Sequence, residues 1–303
     1  WLPKIVLWQG GQISAAPLLE IKRTNIPVIF LQTQRDRLEP SKPPRFSGKL
    51  RTALGVFAAI LAIDDASAQR LVKLGADPAK TRVLGPLEDG VSPPPYNEPE
   101  RAKLVTSFAA RPMWLAADVP MAELSLIAQA HRHVERRAHR TLLVLTPRIV
   151  ADGMAMADLL RSDGFTVACR SAGEIPKEAT QIYIADTGDG LGLWCRLAPM
   201  TYLGGSFSDG EIPDPFAPAT VGSAVLVGQR VAQFTDHIDR LVSAQALHSV
   251  AAPEVLGRAV ETLLATDYAA QLAHAAWDVT SRGADATNDL VTLIYTFIDR
   301  LDP

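Results

Sequence analysis

Short apolar runs alternate along this chain with amphipathic stretches, and turn residues mark the joins. Ile5–Trp8, Ile26–Leu31, Ala58–Ile63 and Arg82–Leu84 read as strands. Between them Pro17–Thr24 and Leu50–Phe57 read as helices. Asp64-Asp65-Ala66-Ser67 caps another helix that reaches Leu74, and Gly75 stops it at the first position past its end. The pattern recurs more fully further on. Pro112–Ala117, Thr141–Thr146, Thr166–Cys169, Gln181–Ala185 and Thr201–Leu203 read as strands, with helices over Met121–Arg137, Met154–Ser162 and Leu191–Leu197. Helices over Thr235–Ala244, Pro253–Ala265, Tyr268–Ser281 and Asp285–Leu301 close the chain. Strands alternating with helices at this spacing predict α/β architecture with parallel sheets.

One stretch organises the rest. Tyr202–Gly228 reads as a strand end, the turn Gly204-Gly205, a loop, a short helix and a buried strand over Ala224–Val227. Asp214 is placed as the helix N-cap, with Pro215 at the first helical position and Gly222 as the stop. A helix N-terminus at the C-terminal edge of a parallel sheet presents free N–H groups to an anion.

The proline run Ser92-Pro93-Pro94-Pro95 marks a domain boundary. It predicts an N-terminal α/β domain over 1–92, a C-terminal α/β domain over 93–284 and a terminal helix over 285–303 that packs back on the first domain. A length of 303 residues, 48% hydrophobic and 21% charged, fits two globular domains. A net charge of −3 excludes general nucleic-acid affinity. Cys169 and Cys195 stand apart in apolar contexts and read as buried thiols of a cytoplasmic protein, with no metal site and no cofactor implied. The basic segment Arg35–Lys49, with Lys42, Arg45, Lys49 and Arg51, reads as a solvated loop, and an anionic membrane surface is its alternative partner.

The order of several short pieces resembles the 3-deoxy-D-manno-octulosonic acid (Kdo) transferases of lipopolysaccharide synthesis. These pieces include Asn25–Ile29, Arg111–Ala116, Leu142–Arg148, Gly173-Glu174-Ile175-Pro176, Asp186-Thr187, Leu203–Ser206, Asp214–Ala219 and Val225–Gly228. The resemblance implies a GT-B fold of two Rossmann-like domains. It also implies transfer of Kdo from a CMP-Kdo donor to a lipid acceptor at the cytoplasmic face of the inner membrane. The nucleotide would lie in the C-terminal domain, and the matching positions are Arg148, Gly204, Gly205, Ser206 and Pro215, with Asp214 beside them.

The polar positions depart from that family. Its N-terminal third, which carries the expected catalytic base, has no counterpart, so the N-terminal domain is expected to be partial. Its Glu-Thr-Glu turn aligns with Gly10-Gly11-Gln12, its Gly-x-Leu-Lys lysine with Glu88, and its ribose-binding Glu with Ala217. Glu123 survives from an acidic loop, at a helix start, and Asp186 either binds or caps the following helix. His131, His133 and His139 lie among Arg132, Arg136, Arg137 and Arg140 on a face read as solvated. Three readings follow: a transferase of this family; a catalytically inactive homologue that binds a protein partner or lipid; and a transferase retuned to another nucleotide sugar through Asp209, Glu211 or Asp214. An uncovered sheet edge at Ile5–Trp8 or Ile26–Leu31 predicts a homo-oligomer, a protein partner or an intramolecular cover there.

Overall fold

The computed structural model describes all residues except 1–2, 11–12, 14, 33–46, 86–91, 109–110, 265 and 301–303. The chain divides into two compact units, residues 1–90 with 282–303, and residues 91–281.

The smaller unit is a parallel sheet of four strands in sequential order: β1 (Val6–Gln9), β2 (Val28–Leu31), β3 (Ala59–Ala62) and β4 (Thr81–Val83). Strands β2 and β3 are apolar throughout because both faces are covered, as in any parallel sheet with crossover helices. One face holds Val28, Phe30 and Ile60 against α1 (Ala15–Arg23), α2 (Ser47–Leu54) and α3 (Asp65–Lys73). The other holds Ile29, Leu31 and Leu61 against Leu290, Leu293, Ile294 and Phe297 of the C-terminal helix. Helix α3 starts and stops as its sequence predicts. Asp64 accepts from the Ser67 N–H at 2.8 Å, and Gly75 takes φ +108° past the end. Strand β2 is flanked on both sides within the chain, which corrects the expectation of an uncovered edge at Ile26–Leu31. Strand β1 is an edge. The turn residues Gly11 and Gln12, together with Lys42, Arg45 and Glu88, lie outside the described residues.

The larger unit is a seven-stranded parallel sheet. It contains β5 (Met113–Val119), β6 (Leu142–Pro147), β7 (Val167–Cys169), β8 (Ile182–Ile184), β9 (Met200–Leu203), β10 (Ala224–Val227) and β11 (Leu247–Ser249), in the order β11-β10-β9-β5-β6-β8-β7. The chain begins in the middle, builds outward through β6, then crosses back to β9. The switch point therefore lies between β5 and its two neighbours, and the C-terminal ends of these strands open a crevice. Successive residues of β6 serve opposite cores. Leu143 and Leu145 meet α5 (Leu124–Glu135), α6 (Gly153–Ser162) and α10 (Leu256–Leu264), while Leu142 and Val144 meet α4 (Glu98–Phe108) and α7 (Leu191–Leu197). A third core lies under β9 and β10, beneath α8 (Phe216–Ala219) and α9 (Thr235–Ser243).

The last two predicted helices are one continuous helix, α11 (Thr266–Asp299), because nothing between residues 281 and 285 interrupts a helical backbone. The proline run is docked rather than free. The Arg196 guanidinium donates to the Pro94 carbonyl at 2.8 Å, and a side chain at Gly192 would collide with that backbone. Among the described residues no helix is long and apolar enough to cross a membrane.

Candidate functional site

The turn after β9 is shaped by close approach. The Gly204 N–H donates to the Ala117 carbonyl at 2.7 Å, and a Cβ there would come within 2.5 Å of the Asp118 carbonyl. Gly205 takes φ +87°, with the Glu211 carbonyl and the Arg148 guanidinium where a side chain would project. Two glycines are thus required at this turn. Ser206 is fully buried and ties two strand ends together. Its hydroxyl donates to the Leu203 carbonyl at 2.7 Å and accepts from the Gly228 N–H at 2.8 Å.

Glu123 is the residue that sequence reasoning undervalued. It lies in the helical first turn, as expected, but is only 2% exposed. Its carboxylate accepts from the Gly205 N–H at 3.0 Å, the Phe207 N–H at 2.9 Å, the Ser208 hydroxyl at 2.9 Å and the Tyr202 phenol at 2.8 Å. The concavity of backbone N–H groups that a glycine turn offers an anion is filled by the chain's own anion. Burial and the neighbouring Glu123 charge push the Tyr202 phenol well above its ordinary range. The sequence signal was Glu123 together with a turn rich in donors 82 to 85 residues later, a pairing that no local pattern reveals.

Arg148 follows β6, where the sequence places it, and points across the switch point. Its Nη1 pairs with Asp209 at 2.6 Å, its Nη2 donates to the Glu211 carbonyl and, at 3.4 Å, to Gly204 O. Nε is buried 3.4 Å from Asp118 Oδ2, an ion pair without hydrogen-bond alignment. The Glu211 carboxylate stands 3.9 Å from Nη1. Three carboxylates therefore surround one guanidinium. Burial raises the Asp118 carboxyl above its ordinary value against the pull of Arg148. At Asp209 burial works upward too, but the Glu211 N–H and Arg148 outweigh it and hold that carboxyl low.

Asp214 and Pro215 sit on the next segment. Pro215 already has helical angles, φ −62° and ψ −21°, so Asp214 caps the segment as its sequence predicts, and the helix that follows is four residues long. Asp214 Oδ1 still accepts from the Phe216 N–H at 2.9 Å and faces His237 Nδ1 at 3.0 Å. The open helix end expected here is thus occupied by the chain's own carboxylate.

The structure brings Arg148, Gly204, Gly205 and Ser206 together and leaves other candidates elsewhere. Asp186 does not cap α7, whose N-cap is Gly190. It is buried, accepts from the Ser171 N–H at 2.8 Å and its hydroxyl at 2.6 Å, and packs where Gly153 leaves no room for a side chain. The basic face is exposed at Arg132, Arg136, Arg137, His139 and Arg140, as expected, but His131 is not part of it. His131 is fully buried, with Nδ1 accepting from Trp114 and Nε2 3.0 Å from the Gln181 carbonyl. His133 and Arg137 both meet Glu261, and Arg132 bonds the Asp163 carbonyl and covers the Phe165 ring. Beside the site an open cavity of about 420 Å³ is lined by Asp209, Gly210, Arg230, Val231, Ala232 and Thr235. Among the described residues no His, Cys, Asp or Glu cluster is arranged to hold a metal.

No family model matches the chain. It is 25% identical over 305 residues to a 3-deoxy-D-manno-octulosonic acid transferase of Haemophilus influenzae, covering 98% of this chain and 70% of that protein. It is 29% identical over 165 residues to a probable mitochondrial 3-deoxy-D-manno-octulosonic acid transferase of Arabidopsis thaliana, covering 53% of this chain and 37% of that one. In fold it is similar to the C-terminal CMP-Kdo binding domain of WaaA from Acinetobacter baumannii. That match has a TM-score of 0.57 at 20% identity, over 60% of this chain and 96% of that domain.

Proposed function

We propose, because this chain belongs to the 3-deoxy-D-manno-octulosonic acid (Kdo) transferase family, that its larger unit is the nucleotide-sugar side of a Kdo-transferase-like glycosyltransferase, held closed to its donor by its own carboxylates. One observation carries this reading. The guanidinium positioned to meet a donor phosphate at the switch point, Arg148, is already engaged by Asp209, by the Glu211 and Gly204 carbonyls and by the Asp118 charge.

A CMP-linked Kdo brings a phosphate and a sugar carboxylate. It would have to displace Asp209 and then sit among carboxylates, at a cost in repulsion that a partly buried site screens weakly. The Gly205 and Phe207 N–H groups give no relief, because Glu123 holds both. The position where the resembling family carries a ribose-binding Glu is Ala217. Donor binding is therefore weak and transfer slow or silent in this chain as it stands. A lipid acceptor and a peripheral place on the cytoplasmic face of the inner membrane rest on family membership.

Isothermal titration with CMP tests the reading, with Arg148→Ala as control. Binding weaker than millimolar is expected. Micromolar binding abolished by Arg148→Ala would overturn the closed-site reading. The cavity beside Asp209 favours a second reading, a transferase retuned to a less anionic nucleotide sugar, and a screen of neutral nucleotide sugars by thermal shift distinguishes it.

A further inference from the structure

The loop Gly205–Glu211 is gripped by two arginines. Arg148 holds the Asp209 carboxylate and the Glu211 carbonyl, and Arg230 donates through Nη1 to the Ser208 carbonyl. The two grips differ in charge. Arg148 is faced by three carboxylates, whereas among the described residues Arg230 makes no ion pair. Asp209 and Arg230 both line the open cavity, so the carboxylate lies on a wall it shares with a second guanidinium. Glycines at φ +87° and +82°, Gly205 and Gly210, bracket the segment and are held by their own turn bond, the Gly210 N–H donating to the Gly205 carbonyl at 2.9 Å.

We propose that Asp209 is a two-position carboxylate that fills Arg148 when no anion is bound and passes to Arg230, beside the same cavity, when an anionic ligand takes Arg148. The inference rests on reading Arg148 as the phosphate end of a donor site. The exchange conserves ion pairs. The incoming phosphate gains Arg148, and the displaced carboxylate gains Arg230, which among the described residues has no carboxylate partner. Without Arg230 the displaced carboxylate would stay beside the ligand with only water to screen the two like charges, which is the costlier outcome. Asp209 is 48% exposed at its side chain, so its rotation opens no buried core. Arg230 is then a positioning residue: it touches no ligand and sets affinity through Asp209.

A double-mutant cycle read by the shift of amide NMR signals on titration with CMP, which follows binding weaker than millimolar, tests this. Asp209→Asn removes the competitor and is expected to tighten CMP about tenfold or more, whereas Arg230→Gln alone weakens it about tenfold. In the Asp209→Asn background Arg230→Gln should change affinity less than about twofold, because there is no carboxylate left to receive. Inorganic phosphate should show the same dependence at lower affinity. Equal weakening by Arg230→Gln in both backgrounds would mean that Arg230 touches the anion itself, and would overturn the exchange. So would an Asp209→Asn variant binding no tighter than the parent. Arg148→Ala in the Asp209→Asn background separates the premise: unchanged affinity there removes Arg148 from the phosphate end, whatever the cycle shows. Asp209→Ala and Arg230→Lys repeat the cycle with different side chains, and thermal unfolding confirms that each variant is folded.

Discussion

Two arginines stand at opposite ends of the seven-stranded sheet, and their partners differ in kind. Arg111 precedes β5 at the N-terminal end and donates to the carbonyls of Arg140 at 2.9 Å, Lys177 at 3.0 Å and Thr180 at 2.7 Å. Arg148 follows β6 at the C-terminal end and, besides the Glu211 and Gly204 carbonyls, meets three carboxylates. Carbonyls belong to backbone turns and cannot be exchanged without unfolding those turns. Carboxylates sit on rotatable side chains and compete with any anion that arrives. The first arginine is therefore a staple and the second a site, although both are arginines flanking parallel strands. Burial first, then the charge of Arg140, lowers the Arg111 pKa, the signature of a cation held without a carboxylate contact.

The widest test of this contrast is Glu123, a carboxylate at the exchangeable end that is nevertheless a staple. Glu123→Ala strands the Gly205 and Phe207 N–H groups and two hydroxyls, and should cost about 4 kcal/mol in urea unfolding. A loss under about 1 kcal/mol would show that these donors find water and that the turn is not fixed by Glu123.

Arg111→Ala comes next, with about 3 kcal/mol expected from three carbonyls left without their donor. The same measurement on Arg148→Ala should give about 1 kcal/mol or less, because Asp209 and Glu211 are open to water and rehydrate when the cation goes. Equal losses at the two positions would break the distinction between staple and site.

The N-terminal end also holds His131, whose pKa burial lowers to about 4, with Arg111 adding to the shift and the Gln181 carbonyl opposing it. Glu135 Oε1 stands 3.7 Å from the ring. The unfolded chain binds this proton at a higher pH than the folded one does. Stability is therefore full above about pH 6.5 and is lost as pH falls toward 4, by an amount on the order of 3 kcal/mol or less. His131→Gln should flatten the difference between urea midpoints at pH 7 and pH 5. An unchanged slope would mean that the imidazole is not the group titrating.

The smallest effect concerns screening. Adding salt from low to about 0.5 M should leave the Arg111→Ala loss unchanged and shrink the Arg148→Ala loss, since only the second rests on partly exposed ion pairs.

Much of this was legible in the residues. Period and punctuation placed β10 over Ala224–Val227 and α7 over Leu191–Leu197 at their observed bounds, and Asp64 and Gly75 delimited α3. These are local matters: a strand buried on both faces must be apolar throughout, and a helix end needs a cap or a glycine within a few residues. The sequence also brought Arg148 and the Gly204-Gly205 turn to strand ends, where the doubly wound topology opens its crevice.

What the sequence left undecided were the partners of polar groups, because partners are chosen across many residues of chain. The bond from Glu123 to the Gly205 turn spans 82 residues, and the pair of Arg148 with Asp209 spans 61. Read alone, Glu123 was a helix-start carboxylate and His131 part of a wet basic face. In the folded chain each faces a donor or acceptor set by the tertiary arrangement. Periodicity reports which side of an element leaves water, since that depends on hydrophobicity alone. Whether a buried charge closes a site or opens one depends on which other charge the fold sets within about 4 Å of it, a distance that only the tertiary structure decides.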